Sequence, residues 1–369
     1  MTLPPATERA GRPAAPRVRV LIVDDSAVVR GALVRLLEAE PDIQVVGRVA
    51  DGTAALSALQ REPADVAVLD IEMPGMDGMH ALPLMLQACP GLRVIMASSL
   101  TTRGAAVTLR ALELGAADYL PKPGPTSVRD GSFRTELLAK IRALAPRRAA
   151  PARPAPPAAA PLRPALARRP PALLLALGSS TGGPQVLSAL LPALGAGLPV
   201  PLVLTQHMLA PFMPLLAEQL NRLGGPPCEV AAAGTKLLPG RAYLAPGDRH
   251  LLVQRDAAGL VAALSDGAPE NHVRPAVDPM LRSATQATDG RMVIAILTGM
   301  GQDGLAGTRV AVQAGAVALA QDEASSVVWG MPGAVATAGL CQEVAPPPRL
   351  AQSIRHLLGL APAGLKAAS

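Results

Sequence analysis

The sequence predicts two α/β domains, each built on a parallel, doubly wound sheet, and three observations support this. Apolar segments of strand length alternate with amphipathic segments of helix length over residues 17–145, and the alternation resumes over residues 172–362. Between these regions, residues 146–171 contain nine Pro and nine Ala, a composition typical of an extended linker. With 369 residues, the chain is long enough for two domains that each bury a core.

The N-terminal domain is predicted to contain five strands that alternate with five helices. The strands are expected at 17–23, 43–49, 66–70, 93–98 and 118–120, and the helices at 26–39, 53–60, 78–88, 104–115 and 131–144. Strands separated by helices pair in parallel, because each connection returns the chain to the same end of the sheet. Residues 1–16, rich in Pro, Ala and Arg, are expected to form a disordered extension.

The C-terminal domain shows the same alternation without sharing sequence with the first. Strands are expected at 172–177, 201–205, 292–297 and 316–320, with a strand-rich middle at 227–263. Helices are expected to begin near 184, 211 and 303 and to cover 277–288 and 349–359. A short tail at 363–369 follows this domain.

The net charge of +6 does not indicate a nucleic-acid-binding face. Six arginines and no acidic residue lie between Pro146 and Pro171, so the rest of the chain carries a net charge of zero. Aromatic residues make up 1% of the chain, which weakens any interpretation based on stacking of nucleobases. The sequence therefore predicts no nucleic-acid partner.

Cysteine spacing and hydropathy bear on the compartment. Cys89, Cys228 and Cys341 lie far apart without CxxC spacing, which fits a reducing compartment better than a disulfide framework. The N-terminus lacks the pattern of a secretory signal. The apolar window Val186–Leu204 is interrupted by Pro and Gly, which leaves pieces too short to span a bilayer. We therefore predict a cytoplasmic location without membrane insertion.

Polar residues follow four of the five strands predicted in the N-terminal domain. Asp24 and Asp25 follow the first strand, Asp70 ends the third, Ser98 ends the fourth and Lys122 follows the fifth. The carboxyl ends of parallel strands meet at one edge of the sheet, so these side chains are expected to lie together. Each aspartate alone fits an ordinary turn residue, but the cluster favours a Mg²⁺ site that supports phosphoryl transfer to Asp70.

The segments LIVDDS, VLDIEMPGMDGM, VIMASSLT and DYLPKP resemble the response-regulator receiver family over residues 17–144. The resemblance implies a flavodoxin-like (βα)5 receiver domain at 17–145 in which a histidine kinase phosphorylates Asp70. The implied Mg²⁺ ligands are Asp24, Asp25, Asp70 and the main-chain carbonyl of Glu72. Ser98 and Lys122 are the implied sensors of the phosphoryl group. Tyr119 matches the aromatic switch position of the family, although a plain packing role is an equal alternative.

Three strand-end loops of the C-terminal domain supply Ser180, His207 and Asp303. A serine in a Gly-flanked turn between strand and helix exposes its hydroxyl beside free backbone N–H groups. Serine becomes nucleophilic when an imidazole takes its proton, and a carboxylate fixes the imidazole tautomer. Taken singly, the glycine-rich loop fits a phosphate cradle, His207 an ordinary surface histidine and Asp303 a helix N-cap. Together the three favour a hydrolase with an unusual Ser…His…Asp chain order.

The segments GSSTGGP, TQHM, YLAPGDRHL, NHVRPAVDPM, LTGMGQDG and QDEASSVVWGMP resemble successive blocks of the chemotaxis protein-glutamate methylesterase family. The resemblance implies a catalytic domain at 172–362 with Ser180 as nucleophile, His207 as general base and Asp303 as orienting acid. It implies the N–H groups of Thr181 and Met300 as oxyanion hole. It also implies hydrolysis of glutamate methyl esters and deamidation of glutamines on cytoplasmic chemoreceptor domains, with no cofactor for this step.

The resemblance further implies that the receiver shields the Ser180 edge until Asp70 is phosphorylated. One alternative is a response regulator whose C-terminal domain only binds a phosphorylated ligand, through GSSTGG and TGMGQDG. A transcriptional regulator is a weaker alternative, because the sequence shows no helix-turn-helix pattern.

Overall fold

The computed structural model describes residues 17–98, 101–122, 131–146 and 170–361. The predicted extension at 1–16, nearly all of the linker at 146–171 and the tail at 363–369 lie outside these residues. The predicted domain boundaries stay predictions.

The N-terminal unit is a five-stranded parallel sheet, as predicted. Its strands are β1 (Val18–Val23), β2 (Ile43–Val49), β3 (Val66–Asp70), β4 (Arg93–Ser98) and β5 (Asp118–Pro121), in the order β2-β1-β3-β4-β5. The central strand β3 is buried along its whole length, as expected for a strand covered by helices on both faces. The chain reverses its direction of winding between β1 and β3, where open α/β sheets place their sites.

Helices cover both faces of this sheet. They are α1 (Ala27–Glu38), α2 (Gly52–Arg61), α3 (Gly78–Ala88), α4 (Thr102–Glu113) and α5 (Ser132–Leu144). The first four begin after a residue whose side-chain oxygen accepts a backbone N–H three residues later, which satisfies a free donor of the first turn. These N-cap residues are Ser26, Asp51, Asp77 and Thr101.

The C-terminal unit is a seven-stranded parallel sheet with a separate hairpin. The sheet has the order β14-β13-β12-β6-β7-β9-β8, and β10 and β11 form the antiparallel hairpin. The strands are β6 (Leu174–Ser179), β7 (Leu202–Gln206), β8 (Cys228–Val230), β9 (Ala242–Leu244), β10 (His250–Asp256), β11 (Gly259–Ser265), β12 (Met292–Ile296), β13 (Val317–Gln321) and β14 (Cys341–Ala345). Here the winding reverses between β6 and β12.

Six α-helices and one 3₁₀ turn (Ala210–Phe212) flank this sheet in the described part of the chain. The helices are α6 (Gly183–Leu194), α7 (Met213–Leu223), α8 (Val277–Thr288), α9 (Leu305–Gln313), α10 (Met331–Thr337) and α11 (Pro347–Leu357). The sequence did not predict α10 and β14. Helix α10 is short and contains Pro332 and Gly333, which are typical of loops, and β14 is a terminal strand with polar residues and little burial. Among the described residues, no helix is long and apolar enough to cross a membrane.

The two units contact each other beside the carboxyl edge of β6 and β7. The ring of Tyr119, at β5, packs against Phe212 with centroids 4.5 Å apart, and its hydroxyl accepts the Leu209 N–H at 3.2 Å. The amide of Gln185, on α6, donates to the carbonyls of Leu112 and Ala116 at 3.0 and 2.6 Å. The Leu112 carbonyl lies in the last turn of α4, where helix carbonyls lack partners within the helix, and the Ala116 carbonyl lies in the connection between α4 and β5.

Candidate functional site

Three carboxylates meet at the edge of the N-terminal sheet. Asp24, Asp25 and Asp70 each bring a carboxylate oxygen within 4.8 Å of the others. Lys122 donates to Asp70 Oδ2 at 2.7 Å. Neighbouring strands β1 and β3 supply the aspartates and β5 leads to the lysine, so the topology itself assembles the cluster. The structure therefore brings together four of the residues predicted at this edge.

Burial disfavours the ionised form of these clustered carboxylates unless a positive charge lies beside them. Burial raises the pKa of Asp70, and the Lys122 hydrogen bond lowers it by less. Burial also raises the pKa of Asp24, whose Oδ2 is buried without a hydrogen-bond partner among the described residues. A hard divalent cation prefers such carboxylate oxygens, so the residues present fit Mg²⁺. The adjoining cavity of about 520 Å³ is lined by Asp25, Asp70, Glu72 and Lys122 among others.

The other residues predicted at this edge have more varied contacts. The Glu72 N–H donates to Asp70 Oδ1 at 3.3 Å, which places Glu72 beside the cluster. The Ser98 hydroxyl accepts from Thr108 at 2.5 Å and lies 3.5 Å from the Gly104 carbonyl, so it bonds within its own loop and helix. Tyr119 is 6% exposed and packs into the other unit. The packing alternative therefore describes Tyr119 in this state.

Ser180 and His207 follow neighbouring strands in register. Strands β6 and β7 pair Ser179 with Gln206, and each predicted catalytic residue is the next in its chain. The His207 N–H donates to the Ser179 carbonyl at 3.0 Å, and the Ser180 N–H donates to the Thr298 carbonyl at 3.0 Å. Strands in a sheet lie about 4.8 Å apart, so the two side chains start from adjacent positions.

Asp303 is buried beneath the imidazole and lies in hydrogen-bond contact with it. Asp303 Oδ2 lies 2.7 Å from His207 Nε2 and accepts the Val277 N–H at 2.6 Å, while Oδ1 accepts the Asp278 N–H at 3.1 Å. Burial raises the pKa of Asp303. The His207 hydrogen bond and the helix N–H groups lower this pKa by more than burial raises it, so the net shift is downward. Asp303 therefore does not cap its own helix α9, which begins at Leu305; it caps the start of α8.

The imidazole orientation decides which nitrogen can serve the serine. Because Nε2 of His207 contacts Asp303, Nδ1 is the nitrogen left for the Ser180 hydroxyl. Among the described residues, no hydrogen bond joins the Ser180 hydroxyl to the His207 ring. The serine side chain can reach other staggered rotamers by rotation about a single bond. The structure thus brings two members of the proposed relay into contact and places the third beside them.

The predicted oxyanion donors lie in the two loops that flank Ser180. Within the part of the chain that the structure describes, the N–H groups of Thr181 and Met300 donate no backbone hydrogen bond. The Thr298 hydroxyl donates to the Thr181 carbonyl at 2.9 Å and joins the two loops. The loops pack so closely that a Cβ on Gly299 would lie 2.8 Å from the Ser180 Cβ. The geometry is compatible with an oxyanion hole.

Two buried glutamines that the sequence analysis did not single out, Gln206 and Gln321, organise these loops. Gln206 accepts the Ser179 hydroxyl at 2.6 Å and donates to the carbonyls of Ser180 and His207 at 2.9 and 3.2 Å. Gln321 accepts the Thr298 N–H at 2.8 Å. Gln206 is 1% exposed and Gln321 is fully buried. Each of these glutamines ends an apolar strand, and this sequence feature could have identified both as candidate residues of the site.

The loop after β6 is poorly suited to be a phosphate cradle. Such a cradle needs several backbone N–H groups free to point at the anion. Here the Ser180 N–H donates to Thr298, and the Gly183 N–H donates to the Ser180 carbonyl at 2.8 Å. The carboxylate of Asp303 adds negative charge under the same edge. These contacts disfavour the phosphate-binding alternative.

Comparisons with known proteins assign both units to families. Residues 175–354 match the CheB methylesterase family, and residues 20–129 match the response regulator receiver domain. A relative from Paramagnetospirillum magneticum, named protein-glutamate methylesterase/protein-glutamine glutaminase 1, is 49% identical over 94% of this chain and 97% of its own length. A second relative, the protein-glutamate methylesterase/protein-glutamine glutaminase of Azospirillum brasilense, is 48% identical over 95% of this chain and 96% of its own length. The crystal structure of the CheB methylesterase catalytic domain of Thermotoga maritima is 34% identical, with a TM-score of 0.49, and covers 50% of this chain and 98% of that chain.

These identities extend over nearly the whole chain and confirm the predicted fold, family and ester-hydrolase function. The alternative of a non-catalytic output domain is not favoured, because relatives of matching length are named for an esterase and a glutaminase. The chain therefore belongs to the CheB methylesterase family and carries a response regulator receiver domain ahead of its methylesterase domain.

Proposed function

We propose that this chain hydrolyses glutamate methyl esters, and deamidates glutamines, on cytoplasmic chemoreceptor domains through Ser180, His207 and Asp303. The contact between His207 Nε2 and Asp303 Oδ2 carries the proposal, because it lies at the strand edge where Ser180 also emerges. A buried carboxylate of lowered pKa stays ionised at neutral pH and stabilises the imidazolium that forms during proton transfer. The ionised Asp303 carboxylate therefore holds the Nε2 side of the His207 ring, and the Nδ1 side is left for Ser180.

The reaction follows from this arrangement in two stages. His207 takes the proton of Ser180, whose oxygen attacks the ester carbonyl to form a tetrahedral oxyanion facing the N–H groups of Thr181 and Met300. The protonated imidazole gives its proton to the leaving methoxide, and methanol departs. His207 then takes a proton from a water molecule, whose oxygen attacks the acyl carbon. The bond to Ser180 Oγ breaks, the imidazolium returns the proton to Ser180, and the glutamate carboxylate is released. For a glutamine side chain, ammonia leaves in place of methanol.

We propose that Asp70 in the receiver domain accepts a phosphoryl group from a histidine kinase. Asp24, Asp25, Asp70 and the Glu72 carbonyl would hold Mg²⁺, which supplies charge neutralisation for the incoming phosphoryl oxygens. Lys122 already bonds Asp70 and can transfer that hydrogen bond to the phosphoryl group. Ser98 would exchange its contact with Thr108 for a contact with the same group.

The contacts between domains support control of the esterase by the receiver. Asp118 and Tyr119 of the receiver bond Thr181 and Leu209, which lie one and two residues beyond Ser180 and His207. A receiver that contacts the loops after Ser180 and His207 restricts the approach of a bulky chemoreceptor helix to these residues. Asp70 bonds Lys122, the residue that follows β5, so phosphorylation of Asp70 would rearrange these contacts.

Methanol release from methylated receptor tests both parts of the proposal. Wild type, Ser180→Ala and Asp70→Asn are compared with and without a small-molecule phosphodonor. We expect Ser180→Ala to lose turnover by at least about 10³-fold and Asp70→Asn to keep basal turnover without activation. Unaltered turnover in Ser180→Ala would refute the catalytic assignment. Activation that persists in Asp70→Asn would refute the regulatory assignment.

A further inference from the structure

One exposed asparagine links two buried carboxylates behind the catalytic histidine. The Asn271 amide donates from Nδ2 to Asp303 Oδ1 and to Asp278 Oδ2, both at 3.0 Å. Asp303 and Asp278 are 1% and 4% exposed, whereas Asn271 lies at the surface. Its backbone has φ 52°, in the left-handed region that asparagine adopts more readily than most residues. The loop thus presents one amide group to both carboxylates.

The two carboxylates would otherwise face each other across a poorly solvated space. Burial raises the pKa of Asp278, and the charge of Asp303 adds to this rise. The remaining acceptor capacity of Asp278 is used by the Gly307 N–H at 2.6 Å, at the start of α9. A donor placed between like charges lowers their repulsion and fixes the angle between the two groups.

Within the described residues, Asn271 is the side-chain donor to the Asp303 oxygen that does not touch His207. The other bonds to Oδ1 come from the N–H groups of Asp278 and Gly304, at 3.1 and 2.9 Å. Those donors are backbone groups, so the position of the carboxylate that they favour depends on the positions of α8 and of the turn before α9. The Asn271 bond connects Oδ1 to the surface loop, while Oδ2 accepts the Val277 N–H at 2.6 Å and contacts the imidazole.

We propose that Asn271 is a positioning residue for the proton relay: its amide bridges Asp278 and Asp303 and holds the Asp303 carboxylate in line with His207. This inference rests on the proposed function. The side chain acts through Asp303 and is not itself in contact with the imidazole. Because Asn271 is exposed, its replacement removes the bridge without opening a cavity in the core.

The test separates the amide donor from the backbone conformation. Asn271→Asp keeps the shape and the left-handed preference but replaces the donor with an acceptor. Asn271→Gly keeps the backbone freedom and removes the side chain. Asp289→Gly is the matched control, because Asp289 also has φ 52° and lies at the opposite end of α8. All variants are made in the full chain and assayed for methanol release with a phosphodonor.

We expect both Asn271 variants to lower kcat by about tenfold, which corresponds to roughly 1.4 kcal/mol of transition-state free energy. KM should change by less than about twofold, because the ester-binding surface is intact. The Asp289→Gly variant should keep wild-type kcat. Wild-type kcat in Asn271→Gly, or an equal loss of kcat in Asp289→Gly, would overturn the proposal.

A second readout does not depend on the esterase assignment. The proton between His207 and Asp303 is sought as a low-field NMR resonance, assigned by its loss in His207→Gln. We expect Asn271→Asp and Asn271→Gly to shift or broaden this resonance and Asp289→Gly to leave it unchanged. An unchanged resonance in both Asn271 variants would contradict the positioning role. If Ser180→Ala kept turnover, the proposed function would fail, and this resonance would still decide the role of Asn271.

Discussion

The hydroxyl of Thr181, the residue after the proposed nucleophile, donates a 2.5 Å hydrogen bond to the Asp118 carboxylate of the receiver. Asp118 is 7% exposed and is also paired with Lys140 at 3.1 Å. The Lys140 ammonium in turn donates to the Tyr119 carbonyl at 2.6 Å. A polar chain therefore runs from α5 of the receiver through β5 to the catalytic loop. This chain of hydrogen bonds connects the receiver to Thr181, the residue next to Ser180.

Loss of a contact between domains that lies away from the chemistry should raise the basal activity. Gln185→Ala removes the two hydrogen bonds to the carbonyls of Leu112 and Ala116 in the receiver. Each such bond contributes about 0.5–1.5 kcal/mol, so losing two weakens the contact between the domains by roughly 1–3 kcal/mol, and the unphosphorylated protein should release methanol at least about fivefold faster. Initial rates without a phosphodonor measure this change.

The control for this variant is Gln254→Ala, which changes an exposed glutamine on β10. It should have the basal rate of wild type. The same rate in Gln185→Ala and in wild type would show that these hydrogen bonds do not restrain the esterase.

A methyl group at Gly183 should disable the site through Gln206. A Cβ at Gly183 would lie 2.0 Å from Gln206 Oε1 and 3.0 Å from the Ser179 Cβ, so the glutamine must leave its place. Gln206 then releases the Ser180 and His207 carbonyls that it now joins. We expect Gly183→Ala to lower kcat by about 10²-fold, because small displacements of catalytic groups are costly.

Gly197→Ala is the control for Gly183→Ala, since a Cβ at Gly197 meets no atom within 4 Å. It should keep wild-type kcat and the wild-type unfolding temperature. Normal turnover in Gly183→Ala would mean that Gln206 does not hold the catalytic loops.

Binding of Mg²⁺ should stabilise the receiver, and Asp24 should be needed for it. The buried Asp24 Oδ2 lacks a hydrogen-bond partner among the described residues and lies with two further carboxylates, so a cation relieves their repulsion. Mg²⁺ at about a hundred times its Kd should add roughly 2.7 kcal/mol to the free energy of unfolding of the receiver. Denaturant unfolding with Mg²⁺ and with EDTA measures this gain.

Asp24→Asn should lose most of the gain from Mg²⁺ and should be at least as stable as wild type in EDTA. Glu62→Gln, which changes an exposed carboxylate of the same domain, should keep the full gain. An equal gain in Asp24→Asn would exclude Asp24 from the cation site.

The parts of the fold that local pattern controls could be predicted from the sequence. Strands β2, β3 and β4 have the predicted bounds. For β3 this follows because a buried parallel strand is a continuous apolar run. The predicted helix at 277–288 is α8 with the same bounds. The helix predicted to begin near Asp303 begins at Leu305, and the Asp303 carboxylate accepts an N–H group of a different helix, α8. Such a contact between distant segments leaves no local signal.

The position of the candidate residues at one edge of the sheet was predictable from the sequence, but the hydrogen bonds that connect them were not. Ser180, His207 and Asp303 could be found because each follows an apolar strand of a parallel sheet. The bond from Asn271 and the clamp by Gln206 depend on how loops fold back over the sheet. Polar residues in loops are common, so their composition does not distinguish a bridging amide from a solvated one.

The lowered pKa of Asp303 predicts how stability depends on pH. Burial raises this pKa, but the His207 hydrogen bond and the helix N–H groups lower it more, so the folded state binds the proton more weakly than the unfolded state. The ionised carboxylate therefore stabilises the fold at pH above its unfolded pKa of about 3.9. This contribution is lost as the pH falls through the lower pKa of the folded state.

Asp303→Asn should accordingly lower the free energy of unfolding by about 1–3 kcal/mol at neutral pH, because it removes a charged acceptor of several hydrogen bonds. The difference between wild type and variant should shrink as the pH is lowered below about 4, where the carboxylate of the unfolded wild-type chain begins to take up its proton, and it should be lost at the lower pKa of the folded state. Urea unfolding of both proteins between about pH 3 and pH 7 measures the difference. Asp248→Asn, at an exposed carboxylate, should follow the wild-type curve throughout. A difference between Asp303→Asn and wild type that stayed constant across this range would mean that Asp303 gains no stabilisation from its charge.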